Sequence, residues 1–400
     1  MKISRIETIE LTVPVEAPLR FAYGVHIAFT RTIVKIHTDE GLVGLGETAA
    51  SAAQVEALSA PVIGQNPFDL EVIRNIISNR FYWSRDPLVG SAIEMACLDL
   101  MGKKTGLPVY RLLGGAVRPH INMAAYCFYR YPSDDGQWPA VTTPEEMAVH
   151  AEDLCRRFGF RTVKLKGGVL PAEEEVAAME AMRERLGPSI RLRLDPQSAW
   201  TVETAIAMAP RLEEVGLEYY EDPVAGQANM ATVRGRTKLA MSTNMCVTSF
   251  EELGPAAQIR AIDVVLTDPW YWGGPTQVKA LDTVARTMGI GLSMHSGIEL
   301  GIGMAVMAHT GVTMPGLTAA VDAHYHHLRG DIIKGPMLLP ENGVLAPPQG
   351  PGWGVELDDD KVAEYVEIHK SGVYRNVYVE ANKTGPDAHR PGWFPIIPGW

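Results

Sequence analysis

Between residues 119 and 330 the chain repeats one pattern: a short strand-like run, a polar residue at its end, then a helix-like segment. The runs are "INMAAYCFY", "FRTVKLKGG", "IRLRLDP", "LEYYEDPV", "KLAMSTN", "IDVVLTD", "IGLSMHS" and "LTAAVDAH". Most gaps hold segments such as "EEMAVHAEDLCRRFG" and "EEEVAAMEAMRERLG". Parallel neighbours need a long crossover, and a helix supplies it. Eight such runs predict an α/β fold, a TIM-like (β/α)8-type barrel with room for irregularity in its last unit or two.

Residues 1–118 read as a separate α+β capping domain. "ISRIETIELTV" and "TRTIVKIHTDEGLVGLGETA" are strand-like, the second turning at "TDEG". The glycines of "GLVGLG" lie in that hairpin with no helix opening after them, so they do not read as a nucleotide loop. "AIEMACLDLMGKKTG" predicts a helix stopped by Gly106. Residues 331–400, rich in Pro and Gly and carrying "PGW" three times, are expected to return to the capping domain.

The strand ends form the series Lys166, Asp195, Glu221, Asn244, Asp268, His295, with spacings of 29, 26, 23, 24 and 27 by subtraction. Polar residues at that period converge on the C-terminal face of a barrel, where barrel enzymes keep their active sites. Asp195, Glu221 and Asn244 supply only oxygen, a set suited to Mg²⁺. Each acid taken alone reads equally well as a helix cap. Lys164 and Lys166 sit two apart and share one face of their strand. Mutual repulsion and burial are expected to lower the Lys166 pKa, making it a general base; the alternative is two solvated lysines on an edge strand. Asp268 and His295 end neighbouring strands, and a carboxylate there would fix the imidazole tautomer. The "HYHH" run at 324–327 invites a second metal, but strand-end geometry sends only His324 to the pocket.

A net charge of −11, with no block of one sign, argues against nucleic acid or an anionic membrane as partner. Cys97, Cys127, Cys155 and Cys246 are far apart and read as thiols of a reducing compartment. The charged N-terminus does not read as a signal peptide, and no apolar run approaches a membrane span. A cytoplasmic location is expected.

A lysine pair on the second strand, Asp/Glu/Asn on the third to fifth and Asp–His on the sixth and seventh resemble the enolase superfamily. The type is mandelate racemase/muconate lactonizing enzyme, and within it the glucarate dehydratase-like subgroup. "KLKGG", "RLDPQSAW", "YYEDPV", "STNMCVTS", "LTDPWYW", "MHS" and "SAIEMACLDLMGKKTGLPVYRLLGG" resemble that subgroup's blocks. The resemblance implies a small-molecule carboxylate substrate, Mg²⁺ on Asp195, Glu221 and Asn244, and α-proton removal to a stabilised enolate. Loss of the β-hydroxyl would then give a 2-keto-3-deoxy acid. Lys166 and His295 would be bases on opposite faces, with Lys164 tuning the first and Asp268 orienting the second. Substrate contacts are implied for His26, Ser91, Tyr126, Phe128, Gln197, Ser296, His324 and Arg375, and a homo-oligomer for the assembly. Phe21, Gln197 and Gly297 stand where the subgroup pattern has asparagine, which implies a sugar acid other than D-glucarate. A racemase, epimerase or cycloisomerase would use the same two bases. A non-catalytic relative would have no use for the lysine pair.

Overall fold

The computed structural model describes residues 1–78, 86–374 and 378–379. Two long antiparallel strands, β1 (Ile3–Phe21) and β2 (Gly24–Thr38), start the capping domain, and β3 (Val43–Thr48) pairs with β2. Three helices follow: α1 (Ala52–Ser59), opened by a Ser51/Gln54 capping box, α2 (Leu70–Ser78) and α3 (Pro87–Thr105). Two of the glycines of "GLVGLG", Gly44 and Gly46, serve the packing of α3 on β3. A Cβ on Gly44 would lie 2.1 Å from the Ala96 carbonyl oxygen, and one on Gly46 2.1 Å from that of Ala92. Helix backbone therefore rests directly on strand backbone, and α3 is buried along most of its length.

A single turn, α4 (Val109–Leu112), leads to the barrel. A short strand β4 (Ile121–Asn122) precedes β5 (Ala125–Phe128), β6 (Thr162–Lys166), β7 (Arg191–Asp195), β8 (Leu217–Glu221), β9 (Met241–Thr243), β10 (Val264–Thr267) and β11 (Gly291–Met294). From β5 to β11 these form a seven-stranded parallel sheet in sequence order. The crossovers are α5 (Pro144–Phe158), α6 (Ala172–Leu186), α7 (Val202–Val215), α8 (Gln227–Arg234), α9 (Phe250–Gln258) and α10 (Pro275–Met288), with α11 (Gly301–Gly311) after β11. The middle strands are buried on both faces, as helix-covered parallel strands must be.

The eighth run, "LTAAVDAH", is not a regular strand. It bridges Leu317 to Leu292 on one side and Val321 to Met123 on the other. Hydrogen bonds from Asp322 N to Met294 O (3.0 Å) and Ala124 N to Val321 O (2.9 Å) close the ring. The chain then returns: β12 (Val344–Leu345) pairs with β4, α12 (Asp359–Ser371) lies along β1, and β13 (Tyr378–Val379) pairs with β2. His369 Nδ1 meets the Thr12 hydroxyl at 3.0 Å. All four cysteines are free thiols, and no described helix is long and apolar enough to cross a membrane.

Gly46→Ala is expected to push α3 off β3 and cost about 1–3 kcal/mol, typical of overpacking. The check is the urea midpoint of the variant against the parent; an unchanged midpoint would refute the close-approach argument.

Candidate active site

A cavity of about 450 Å³ lies where the barrel's C-terminal face meets the cap. Tyr126, Lys166, Gln197, Asn244, His295, Ser296 and His324 line its barrel side. Phe21, Tyr23, Arg31 and Ala49 line it from the cap. Asp195 and Glu221 lie fully buried beneath, and Asp268 stands behind His295.

The lysine pair is held by carboxylates. Lys166 Nζ donates to Asp195 Oδ2 at 2.7 Å. Lys164 Nζ donates to Glu221 Oε1 at 2.5 Å and Asp322 Oδ2 at 2.8 Å, and lies 3.3 Å from Asp195. This overturns the expectation of a lowered Lys166 pKa. Burial is the largest influence and, with Lys164, pulls it down, but Asp195, Tyr126 and Glu221 together outweigh them and hold it above the ordinary lysine value. Lys164 is likewise raised: burial opposes its charge, yet Asp322 and Glu221 overcome that.

Asp195, Glu221 and Asn244 end successive strands or follow them by one residue. Two buried acceptors of this set, Glu221 Oε2 and Asn244 Oδ1, have no hydrogen-bond partner. Donorless buried oxygens are costly, and a hard cation would satisfy both. Among the described residues no three His, Cys, Asp or Glu side chains gather as a metal site, so an oxygen set here depends on the Asn244 amide.

Asp268 Oδ2 stands 3.4 Å from His295 Nδ1, while Oδ1 accepts the N–H groups of Trp270 and Tyr271. Gln197 is committed twice: its N–H donates to Asp195 Oδ1, and its amide oxygen accepts Ala22 N–H of the cap, each at 2.9 Å. Ser296 Oγ donates to Glu299 at 2.8 Å and lies 2.6 Å from His324 Nδ1. That arrangement places the His324 proton on Nδ1 and leaves Nε2 as a buried acceptor without a partner. Burial keeps this imidazole well below the usual histidine pKa, hence neutral.

Other implied contacts lie one layer out. The buried His26 ring packs on Phe21 at 4.3 Å, and Phe128 lies 5.0 Å from Phe21 and 5.1 Å from His324. The Ser91 hydroxyl turns back to the Leu88 carbonyl within α3. Arg375 falls outside the described residues. Arg20, near the end of β1, is buried with its guanidinium 5.1 Å above the Tyr131 ring. In the "HYHH" run, His327 faces Glu16 and the Tyr126 carbonyl, and its ring lies 4.2 Å from that of His326.

Sequence reasoning missed the supporting carboxylates. Glu175, in the first turn of α6, gathers the N–H groups of Gly168, Val169 and Leu170 in the loop after Lys166. Asp222 accepts the Asn244 N–H at 2.8 Å. Glu47, on β3, accepts Leu300 N at 2.6 Å and Gly303 N at 2.9 Å where α11 begins.

Two family models match the chain: "Mandelate racemase / muconate lactonizing enzyme, N-terminal domain" over residues 5–114, and "Enolase C-terminal domain-like" over 146–361. A probable glucarate dehydratase of Streptomyces coelicolor is 38% identical over 379 residues, 87% of each chain. The N-succinyl-L-Arg/Lys racemase of Bacillus cereus is 27% identical, covering 91% of this chain and 98% of its own. A solved enolase structure from Thermobispora bispora, complexed with magnesium and formate, superposes with a TM-score of 0.91 at 36% identity over 100% of both chains. The chain belongs to the mandelate racemase/muconate lactonizing enzyme family of the enolase superfamily. It is an enzyme family that includes both dehydratases and racemases.

Burial pushes the Glu47 carboxyl up to about 7, only partly offset by Leu300 N–H, Arg31 and Gly303 N–H. Its folded pKa thus exceeds the ordinary 4.5, so the folded state binds that proton more tightly. The resulting stability is fully present below pH 4.5 and is lost as pH rises through about 7. At roughly 1.4 kcal/mol per unit, up to about 3 kcal/mol should disappear over that window. Glu47→Gln should flatten this slope in denaturant titrations at pH 5 and 8; parallel slopes would contradict it.

Proposed function

We propose that the protein is a Mg²⁺-dependent hydro-lyase that dehydrates a sugar-acid-like carboxylate to a 2-keto-3-deoxy acid. The observation that carries this reading is Lys166 and His295 facing one cavity above an oxygen set with two donorless acceptors. Bound by Asp195, Glu221 and Asn244, the cation would supply positive charge beside the substrate carboxylate, easing the charge that builds as the α-proton leaves. The relative named a probable glucarate dehydratase, and the solved relative holding magnesium and formate, support the same reading.

Lys166 Nζ and His295 rise from the ends of β6 and β11, well apart around the ring, so a carbon held between them is approached from two sides. To accept a proton Lys166 must first lose its own, so its contact with Asp195 has to loosen before that face reacts. His295 serves the other face and is placed to return a proton to the departing β-hydroxyl. His324 Nε2 offers an acceptor to a substrate hydroxyl. Phe21, Tyr23, Met245 and Ile298 give the cavity lining an apolar share, and the Gln197 oxygen is already engaged. This favours an acid with fewer hydroxyls than D-glucarate, since polar groups left unpaired in a buried site are rejected strongly.

A racemase or epimerase reading rests on the same two bases and on the Bacillus cereus relative. Proton NMR in D₂O with Mg²⁺ and a panel of hydroxy acids separates the two. A keto acid product means dehydration; deuterium at the α-carbon without a keto acid means isomerisation and would sink the dehydratase reading.

Lys166→Ala and His295→Asn should each lose roughly 100-fold to 10,000-fold in turnover while staying folded. Near-parental rates in either would remove that residue from the mechanism. Asn244→Ala should raise the Mg²⁺ concentration for half-maximal activity at least about tenfold. An unchanged titration would exclude it as a ligand.

A further inference from the structure

Asp268 alone does not hold His295. Its carboxylate is 3.4 Å from Nδ1, longer than the roughly 2.7–2.9 Å of a charge-assisted hydrogen bond. The direction in which its side chain leaves the sheet is therefore set by its backbone. On one side His295 N–H donates to Thr267 O at 2.7 Å as part of the sheet. On the other the chain leaves the sheet through Ser296, Gly297 and Ile298. Ile298 has φ +64°, a conformation that β-branched residues avoid unless their surroundings impose it.

Two groups impose it. The Trp270 ring lies against Gly297, where a Cβ would come within 2.6 Å of Cε3. Opposite, Arg31 reaches over from β2 of the cap. Its Nε donates to Ile298 O at 2.7 Å, its Nη2 to Gly297 O at 2.5 Å and its Nη1 to Thr30 O at 2.6 Å. A planar guanidinium can span two successive carbonyls in a fixed fork; an ammonium cannot. Arg31 also offsets the buried Glu47 and Glu299 carboxylates, which burial pushes up to about 7.

We propose that Arg31 is a positioning residue for His295: from the capping domain it fixes the 296–298 loop and so aims the imidazole into the cavity. The kinetic test rests on the base assignment made above; the spectroscopic one rests on geometry alone. Arg31→Lys keeps the charge facing Glu47 and Glu299 but removes the fork.

In the full-length variant, deuterium exchange at the α-carbon is read with both C2 epimers of a substrate acid, alongside the melting curve. Exchange on the His295 face should fall at least tenfold, and on the Lys166 face less than twofold. In spectra of ¹⁵N-histidine protein without substrate, the His295 signals, assigned by their loss in His295→Asn, should shift or split. His295-face exchange within twofold of the parent overturns the proposal, and so does equal loss on both faces. If the parent exchanges no α-proton with any acid, the base assignment has failed and the spectrum decides: unmoved His295 signals overturn the proposal, moved ones support it. Should Arg31→Lys not fold, Arg31→Gln with Glu47→Gln, which removes one charge of each sign, is read by the same criteria.

Discussion

Buried ion pairing at the top of the barrel is the constraint on which the rest depends. Lys164, Lys166 and Arg193 lie with Asp195, Glu221 and Asp322 out of solvent. Each ion buried without a partner costs several kcal/mol, and removing one member of such a set typically costs about 3–5 kcal/mol. The strands that carry these charges are therefore obliged to end at one point. Asp322 shows the reach of this rule. It sits on the irregular eighth segment, which has few ladder bonds of its own, and its bonds to Lys164 and Arg193 pin that segment into the ring.

The alternation of strand and helix was legible because it is a local pattern, and the functional strand ends because they recur once per unit. What was hidden depends on three-dimensional neighbours. Glu173, Glu174 and Glu175 look alike as acids in a first turn, yet only Glu175 is buried under the Lys166 loop. The Lys166 pKa went the wrong way because the strand showed the lysine neighbour while the nearer carboxylate came from 29 residues further on. Asp322 was passed over because "LTAAVDAH" reads as one more strand, ending at His324.

Behind the reacting groups stands a second tier of buried carboxylates: Glu175 for the Lys166 loop, Asp222 for Asn244 and Glu299 for the turn after His295. Backbone strain gathers in the same places. Of the six described non-glycine residues with positive φ, four (Gln197, Ser198, Asp222 and Ile298) follow functional strand ends within three residues. Such conformations cost about 1–3 kcal/mol each and persist where surrounding bonds over-determine them. The cap supplies part of that hold, through Ala22 to Gln197, Trp270 Nε1 to the Glu47 carbonyl, and Arg31.

The cap is also made from both ends of the described chain. β1 and β2 precede the barrel in the sequence, but the helix that lies along β1 and the strand that extends β2 follow it. Contacts spanning more than 300 residues are slow to close, because loop entropy is spent before any bond rewards it. Until those later elements dock, part of the β2 edge lacks its partner and the β1 face its cover. Sequence order and completion order are thus opposed: the strands that open the cap are completed by elements that come after the barrel.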